Sequence, residues 1–162
     1  MSATTQQFPK LMSPIKIKGL TLRNRIVSSG HGTRLADNHE VSERLHAYHA
    51  ARAQGGAGLI VTEAAMVEGE SVSSLTHLVA ASDAIIPSFR RLADTLHAAD
   101  CAIFGQVYHL GLEMATASDG RRAVALGPSA SPSERYHTAG RAMSTAKVRQ
   151  AVSYTHLRAH ET

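Results

Sequence analysis

The chain has 162 residues, about one domain's worth, and is 43% hydrophobic and 19% charged, a globular rather than a disordered composition. Seventeen Lys and Arg against thirteen Asp and Glu leave a net charge of +4, too mild an excess to require a polyanionic partner. One cysteine, Cys101, excludes an internal disulfide framework. Apolar runs such as Gly58–Val61 are far too short to cross a bilayer, and the polar start Met1–Lys10 lacks the apolar core of a secretory signal; a cytoplasmic location is expected.

Ile15, Ile17, Leu20 and Leu22 alternate with Lys16 and Lys18 around Gly19, which predicts a short β-hairpin. Arg25–Ser29 is a small β-branched run ending in Gly30-His31-Gly32, a strand leading into a loop built for close approach. Ser42–Gln54 reads as a helix capped by Ser42 and stopped by Gly55-Gly56, with Leu45, Tyr48 and Arg52 on one side. Gly58–Ala65 is a continuous apolar run of the kind found in parallel strands covered on both faces. A second helix follows, with Ser82 or Asp83 as cap, Pro87 in its first turn, and Ile86, Phe89, Leu92, Ala93 and Leu96 at helical spacing. Ala102–Tyr108 repeats the buried-strand pattern. Asp119-Gly120 marks a turn in a long polar loop, and Ser144–Gln150 opens a third helix. Hairpin, then alternating strands and helices, predicts an α/β protein with parallel strands.

Few motifs carry chemistry. Gly30-His31-Gly32 lacks the third glycine and the immediate helix of a dinucleotide fingerprint. His46 and His49 stand one helical turn apart without a third ligand, so they read as a solvated helix face rather than a metal site. Arg90-Arg91 and Arg121-Arg122, in a chain with 4% aromatic residues, are ordinary surface charges, and no nucleic-acid partner is expected. Cys101 reads as a small buried filler. Glu63 and Gln106 say more, because each interrupts an apolar run near its carboxyl end. Each either emerges into a loop or faces a ligand at the carboxyl edge of the sheet, where α/β sites lie. Gln106 is the stronger candidate, since an amide offers both a donor and an acceptor.

Five stretches in order, LMSPIKIKGLTLRNRIVSS, ERLHAYHAARAQGGAGLIVTEAAMV, FRRLADTLHA, IFGQVYHLG and ALGPSA, resemble the N-terminal part of the Old Yellow Enzyme family of flavin-dependent oxidoreductases. The chain is most similar to the branch holding 2,4-dienoyl-CoA reductases and trimethylamine dehydrogenase. The resemblance implies the hairpin and first three βα units of an incomplete (β/α)8 TIM barrel, FMN as cofactor, NAD(P)H as reductant and a small-molecule substrate. It also implies that Ser29, Gly30, His31 and Gly32 lie along the flavin ring and that Ala64 approaches the ring edge. Gln106 would hydrogen-bond the flavin pyrimidine, and Tyr108 would line the substrate side. Two departures matter. Gly32 stands where trimethylamine dehydrogenase has the cysteine that bonds its flavin covalently, and Leu112 stands where the family pattern has arginine after His-x-Gly. The family's catalytic residues lie on later strands, so none is assigned here. The branch's 4Fe-4S cluster, too, would lie downstream.

The final eleven residues, VSYTHLRAHET, resemble the in-frame translation of a transposase adapter used in sequencing libraries. The expected division is therefore a truncated barrel portion over 1–151 and a non-native tail over 152–162. Two alternatives stay open for the chain as encoded: a non-flavin (β/α)8 lyase, or an inactive incomplete barrel.

Overall fold

A computed structural model describes residues 7–68, 74–114 and 124–158. Strands β1 (Ile15–Ile17) and β2 (Leu20–Leu22) pair antiparallel with Ile15 opposite Leu22, and the turn between them places Lys18 at φ +52°. The expected hairpin forms. The next strand is shorter than its sequence suggests: β3 covers only Val27–Ser28, and the chain then leaves the sheet as the Ser29–Gly32 loop.

β3 opens a three-stranded parallel sheet in the order β3-β4-β5, where β4 is Leu59–Met66 and β5 is Ala102–Tyr108. Between β3 and β4 runs helix α1 (Glu43–Gln54). Ser42 Oγ accepts the Leu45 N–H at 3.1 Å, Glu43 places negative charge in the first turn, and Gly56 at φ +106° follows the end. Between β4 and β5 runs α2 (Ile86–Ala98), with Pro87 in its first turn. Its start differs from expectation. A 3-10 turn, Asp83–Ile85, leads into it, and the Ser82 side chain makes no capping hydrogen bond.

Both helices cover one face of the sheet. Ile60, Ala65 and Ile103 from the strands pack against Leu45, Ala53, Leu92 and Leu96 from the helices, with Cys101 in the same cluster. Leu45, Ile60, Leu92 and Leu96 are fully buried. Burial pushes the Cys101 thiol pKa up, as suits the core filler expected from the sequence.

His46 and His49 overturn the expectation of a solvated helix face. His49 is 2% exposed, and both its ring nitrogens are buried without a hydrogen-bond partner among the described residues. His46 is half-buried, with Nε2 at 3.0 Å from Thr95 Oγ1 on α2. The sequence pattern sets Leu45, Tyr48 and Arg52 on one side of α1, but the buried positions are Leu45, His49 and Ala53.

The stretch read as a polar loop holds short strands: β6 (Leu126–Gly127) beside β9 (Arg141–Ala142), and β7 (Pro132–Ser133) beside β8 (Thr138–Ala139). Asp119-Gly120 and Arg121-Arg122 lie outside the described residues. Helix α3 spans Thr145–Arg158. No helix of the described residues is long and apolar enough to cross a membrane. An apolar groove of about 660 Å³, lined by Phe89, Ala93, Ile103 and Val107 among others, runs beside β5. Within the described residues β5 pairs only with β4, so this groove lies along the sheet's open edge, and it reaches Gln106 near the strand's carboxyl end.

Candidate functional site at the carboxyl edge of the sheet

Strands β4 and β5 end side by side, whereas β3 stops earlier, with Ser28 opposite Ile60. Ala64 pairs with Gln106 and Met66 with Tyr108, so these four residues share the face opposite the helices. That alignment depends on an irregularity. Val61 pairs with Phe104 but Ala64 with Gln106, so β4 carries one extra residue there, a β-bulge of the kind that re-aims side chains near sites.

The bulge decides the role of Glu63. It is 3% exposed, and its Oε2 accepts both the Thr33 N–H, at 3.0 Å, and the Thr33 hydroxyl. Thr33 Oγ1 in turn accepts the Leu35 N–H at 3.1 Å. The ligand-facing reading of Glu63 is thus corrected: this carboxylate holds the far end of the Ser29–Gly32 loop, because the extra residue in β4 directs it sideways under that loop.

Gln106 is exposed at the strand end, and its amide makes no hydrogen bond to the described residues. Gly30 lies against it. A Cβ on residue 30 would stand 2.6 Å from Gln106 Oε1 and 2.7 Å from the Thr62 carbonyl oxygen, so only glycine fits there. Over Gly32 the space is open, with nothing within 4 Å of a built Cβ. Ser29 is exposed and Ala64 half-buried.

His31 turns away from the sheet toward α1. Its Nδ1 lies 3.2 Å from the Ser29 carbonyl, which can only accept, so Nδ1 carries the proton and Nε2 accepts from the Tyr48 hydroxyl. The two rings meet edge to face at 5.6 Å, and the Arg52 guanidinium stacks on Tyr48 at 3.3 Å. At position 31 the loop therefore presents backbone to the open face. Sequence reasoning missed Tyr48 and Arg52 as the loop's support, although their helical spacing on α1 was visible.

Tyr108 is half-buried. Burial raises its hydroxyl pKa, Arg34 opposes that, and Glu63 adds to it, so the phenol is neutral at ordinary pH. Next to it, His109 and Glu68 form a close pair joined by Lys147. Among the described residues, no group of three His, Cys, Asp or Glu is placed to hold a metal.

An exposed Gln106 amide without a hydrogen bond to the described residues, a glycine pressed against it and an open backbone loop suit the edge of a flat heterocycle that both donates and accepts hydrogen bonds. These residues fit a flavin pyrimidine. A hairpin followed by parallel βα units, with polar groups near the strands' carboxyl ends, is the arrangement with which α/β proteins, (β/α)8 barrels among them, build a site. The family model of NADH:flavin oxidoreductases and NADH oxidases matches residues 10–159, and the chain belongs to that family.

Over 108 residues the chain is 39% identical to an NADH oxidase of Thermoanaerobacter brockii, covering 64% of this chain and 16% of that protein. Over 109 residues it is 31% identical to a multifunctional alkene reductase/demethylase of Caballeronia cordobensis, covering 67% of this chain and 16% of that protein. The Old Yellow Enzyme homologue of Zymomonas mobilis superimposes with a TM-score of 0.74 at 24% identity, over 90% of this chain and 43% of that one. The chain thus spans about one sixth of the first two proteins, and its fold is an unclosed part of a (β/α)8 barrel.

Proposed function

We propose that this chain is the N-terminal segment of an FMN-dependent, NAD(P)H-linked oxidoreductase acting on a small molecule, either an activated alkene or an N-methylated amine. The observation that carries the reading is the exposed Gln106 amide, without a hydrogen bond to the described residues, set against Gly30 at the carboxyl edge of the sheet. Membership of the flavin oxidoreductase family supports it. FMN, when bound, would supply hydride transfer, accepting from NAD(P)H and donating through N5, or the reverse with an amine.

This chain's own residues would bind and orient. Gln106 would hold the pyrimidine, the backbone of Ser29, Gly30, His31 and Gly32 would lie along the ring, and Ala64 would leave room at its edge. Tyr108, neutral and half-buried, would line the substrate side. The proton donor and the phosphate-binding loops would come from later strands. A 4Fe-4S cluster, if the parent follows the dienoyl-CoA branch, would also lie downstream, and a cytoplasmic location belongs to the same reading. Purification of the full-length parent tests it: a yellow protein releasing FMN on denaturation is the expected result, and a colourless protein that binds no added FMN refutes it. Iron and sulfide analysis of the same sample tests the cluster.

The division at residue 151 is a separate proposal, resting on the adapter-like string over 152–162. Both α3 and the family match run past that boundary, to residues 158 and 159. Long-read sequencing of the source DNA decides. Native sequence diverging from the string after residue 151 supports the division, and the same string read from unamplified DNA removes it.

A further inference from the structure

We propose that Glu68, His109 and Lys147 form a positioning unit that fixes the carboxyl end of β5, and with it Gln106 and Tyr108, for the flavin; the proposal rests on the flavin reading above. The three residues come from separate stretches. Glu68 follows the end of β4, His109 follows β5 directly, and Lys147 lies in the first turn of α3. His109 Nε2 lies 2.7 Å from Glu68 Oε2, and Lys147 Nζ reaches the other carboxylate oxygen.

The direction of the proton follows from the backbone. The Gly111 N–H donates to His109 Nδ1 at 2.9 Å, so Nδ1 is the acceptor, and the ring proton sits on Nε2 and is donated to Glu68. Gly111 reaches that position with φ +61°. The imidazole is held at both ends and cannot turn without losing a bond.

The Glu68 and His109 side chains are 11% and 16% exposed. Burial by itself would lift the Glu68 carboxyl pKa, but Lys147 and His109 outweigh it and hold the group below its usual range. A largely buried carboxylate thus ties three elements together, and taking away either donor leaves one of its oxygens without that partner.

The tie acts next to the residues assigned to the site. The Val67 N–H donates to the Tyr108 carbonyl at 3.0 Å, so the peptide before Val67 and the peptide before His109 are already joined. A backbone bond and a side-chain pair together close a small ring of contacts around Tyr108, and Gln106 lies two residues back on the same face. Leu112 supplies no charge to this node. Its side chain fills the space beside Gly127, where a Cβ would stand 2.7 Å from it, and the cation on Glu68 is Lys147 of α3.

The test uses the full-length parent, titrated with FMN by fluorescence between about pH 5 and pH 8, with thermal melting followed alongside. His109→Ala should weaken FMN binding by about tenfold or more, whereas His109→Gln, whose amide N–H can still donate to Glu68, should recover to within about threefold of wild type. Lys147→Met should make FMN binding fall more steeply with decreasing pH than in wild type, because Glu68 then takes up a proton more readily. Wild-type affinity in His109→Ala, equal losses in both His109 variants, or an unchanged pH profile in Lys147→Met would each overturn the proposal. A wild-type parent that binds no FMN would instead overturn the flavin reading, and this unit's role with it.

Discussion

Gly30 and Gln106 pack so closely that a Cβ on residue 30 would stand 2.6 Å from the Gln106 amide oxygen. The loop after β3 and the end of β5, 76 positions apart in sequence, are thereby set at a fixed distance across β4. The Gln106 amide could swing away from an intruding methyl group, but the Thr62 carbonyl at 2.7 Å is backbone and cannot.

Gly30→Ala should therefore displace the loop, lower the stability of the full-length protein by about 1–3 kcal/mol and weaken flavin binding with it. Gly32→Ala has open space and should leave the melting temperature unchanged. Denaturant melts of the two variants check the contrast. If Gly32→Ala nonetheless weakens flavin binding, the ring covers that position; equal stability of both variants would show that the Gly30 contact is not tight.

Gln106→Leu should bleach the parent protein. Leucine keeps most of the volume of glutamine but offers no hydrogen bonds, and two lost partners at about 0.5–1.5 kcal/mol each imply roughly tenfold to hundredfold weaker FMN binding. Arg44→Ala, exposed on α1, is a suitable control and should keep the colour. Equal FMN affinity in Gln106→Leu and wild type would remove Gln106 from the site.

The hairpin, the order of strands and helices and the carboxyl-edge position of Gln106 were legible because each rests on local periodicity. Alternation around Gly19, the run GLIVTEAA and the Ser42 cap need no distant partner to be read. Glu63 and His49 were not legible, for opposite reasons. A bulge between Val61 and Ala64 shifts Glu63 sideways, and no residue type announces a bulge. His49 shares the buried face of α1 with Leu45 and Ala53, whereas the helix's own pattern sets Leu45 with Tyr48 and Arg52. The short strands between residues 126 and 142 escaped for a third reason: two-residue pairings leave no period to detect.

Glu63→Ala should loosen the glycine loop. The Thr33 N–H and hydroxyl both rely on the Glu63 carboxylate, and leaving buried donors without a partner costs about 1–3 kcal/mol. Glu63→Gln retains an acceptor oxygen and should lose distinctly less. Amide hydrogen exchange at Thr33 is the direct readout, with protection expected to drop in the alanine variant and largely persist in the glutamine variant. Unchanged exchange in Glu63→Ala would mean that the loop is held by something else.

The pH dependence of stability should show His49. Burial is the main cause of its low pKa, about 4 against an ordinary 6.5, and the nearby Arg52, His31 and His46 add to it. The folded protein thus refuses a proton that the unfolded chain accepts. Above the unfolded value neither state is protonated and the group contributes no pH dependence. As pH falls from about 6.5 to about 4, the unfolded state alone binds the proton, and stability drops by up to about 3 kcal/mol. The lowered pKa of His77 acts in the same direction, whereas the lowered carboxyls of Glu43 and Glu68 act only below their own ordinary range. Comparison with a variant therefore isolates His49. His49→Leu removes the titration and two buried nitrogens that have no partner among the described residues. It should flatten the acid limb between about pH 6.5 and pH 4 and leave the full-length protein no less stable at pH 7. Parallel urea melts of both proteins across that range are the measurement, and identical slopes would show that His49 is protonated as readily in the folded state as in the unfolded one.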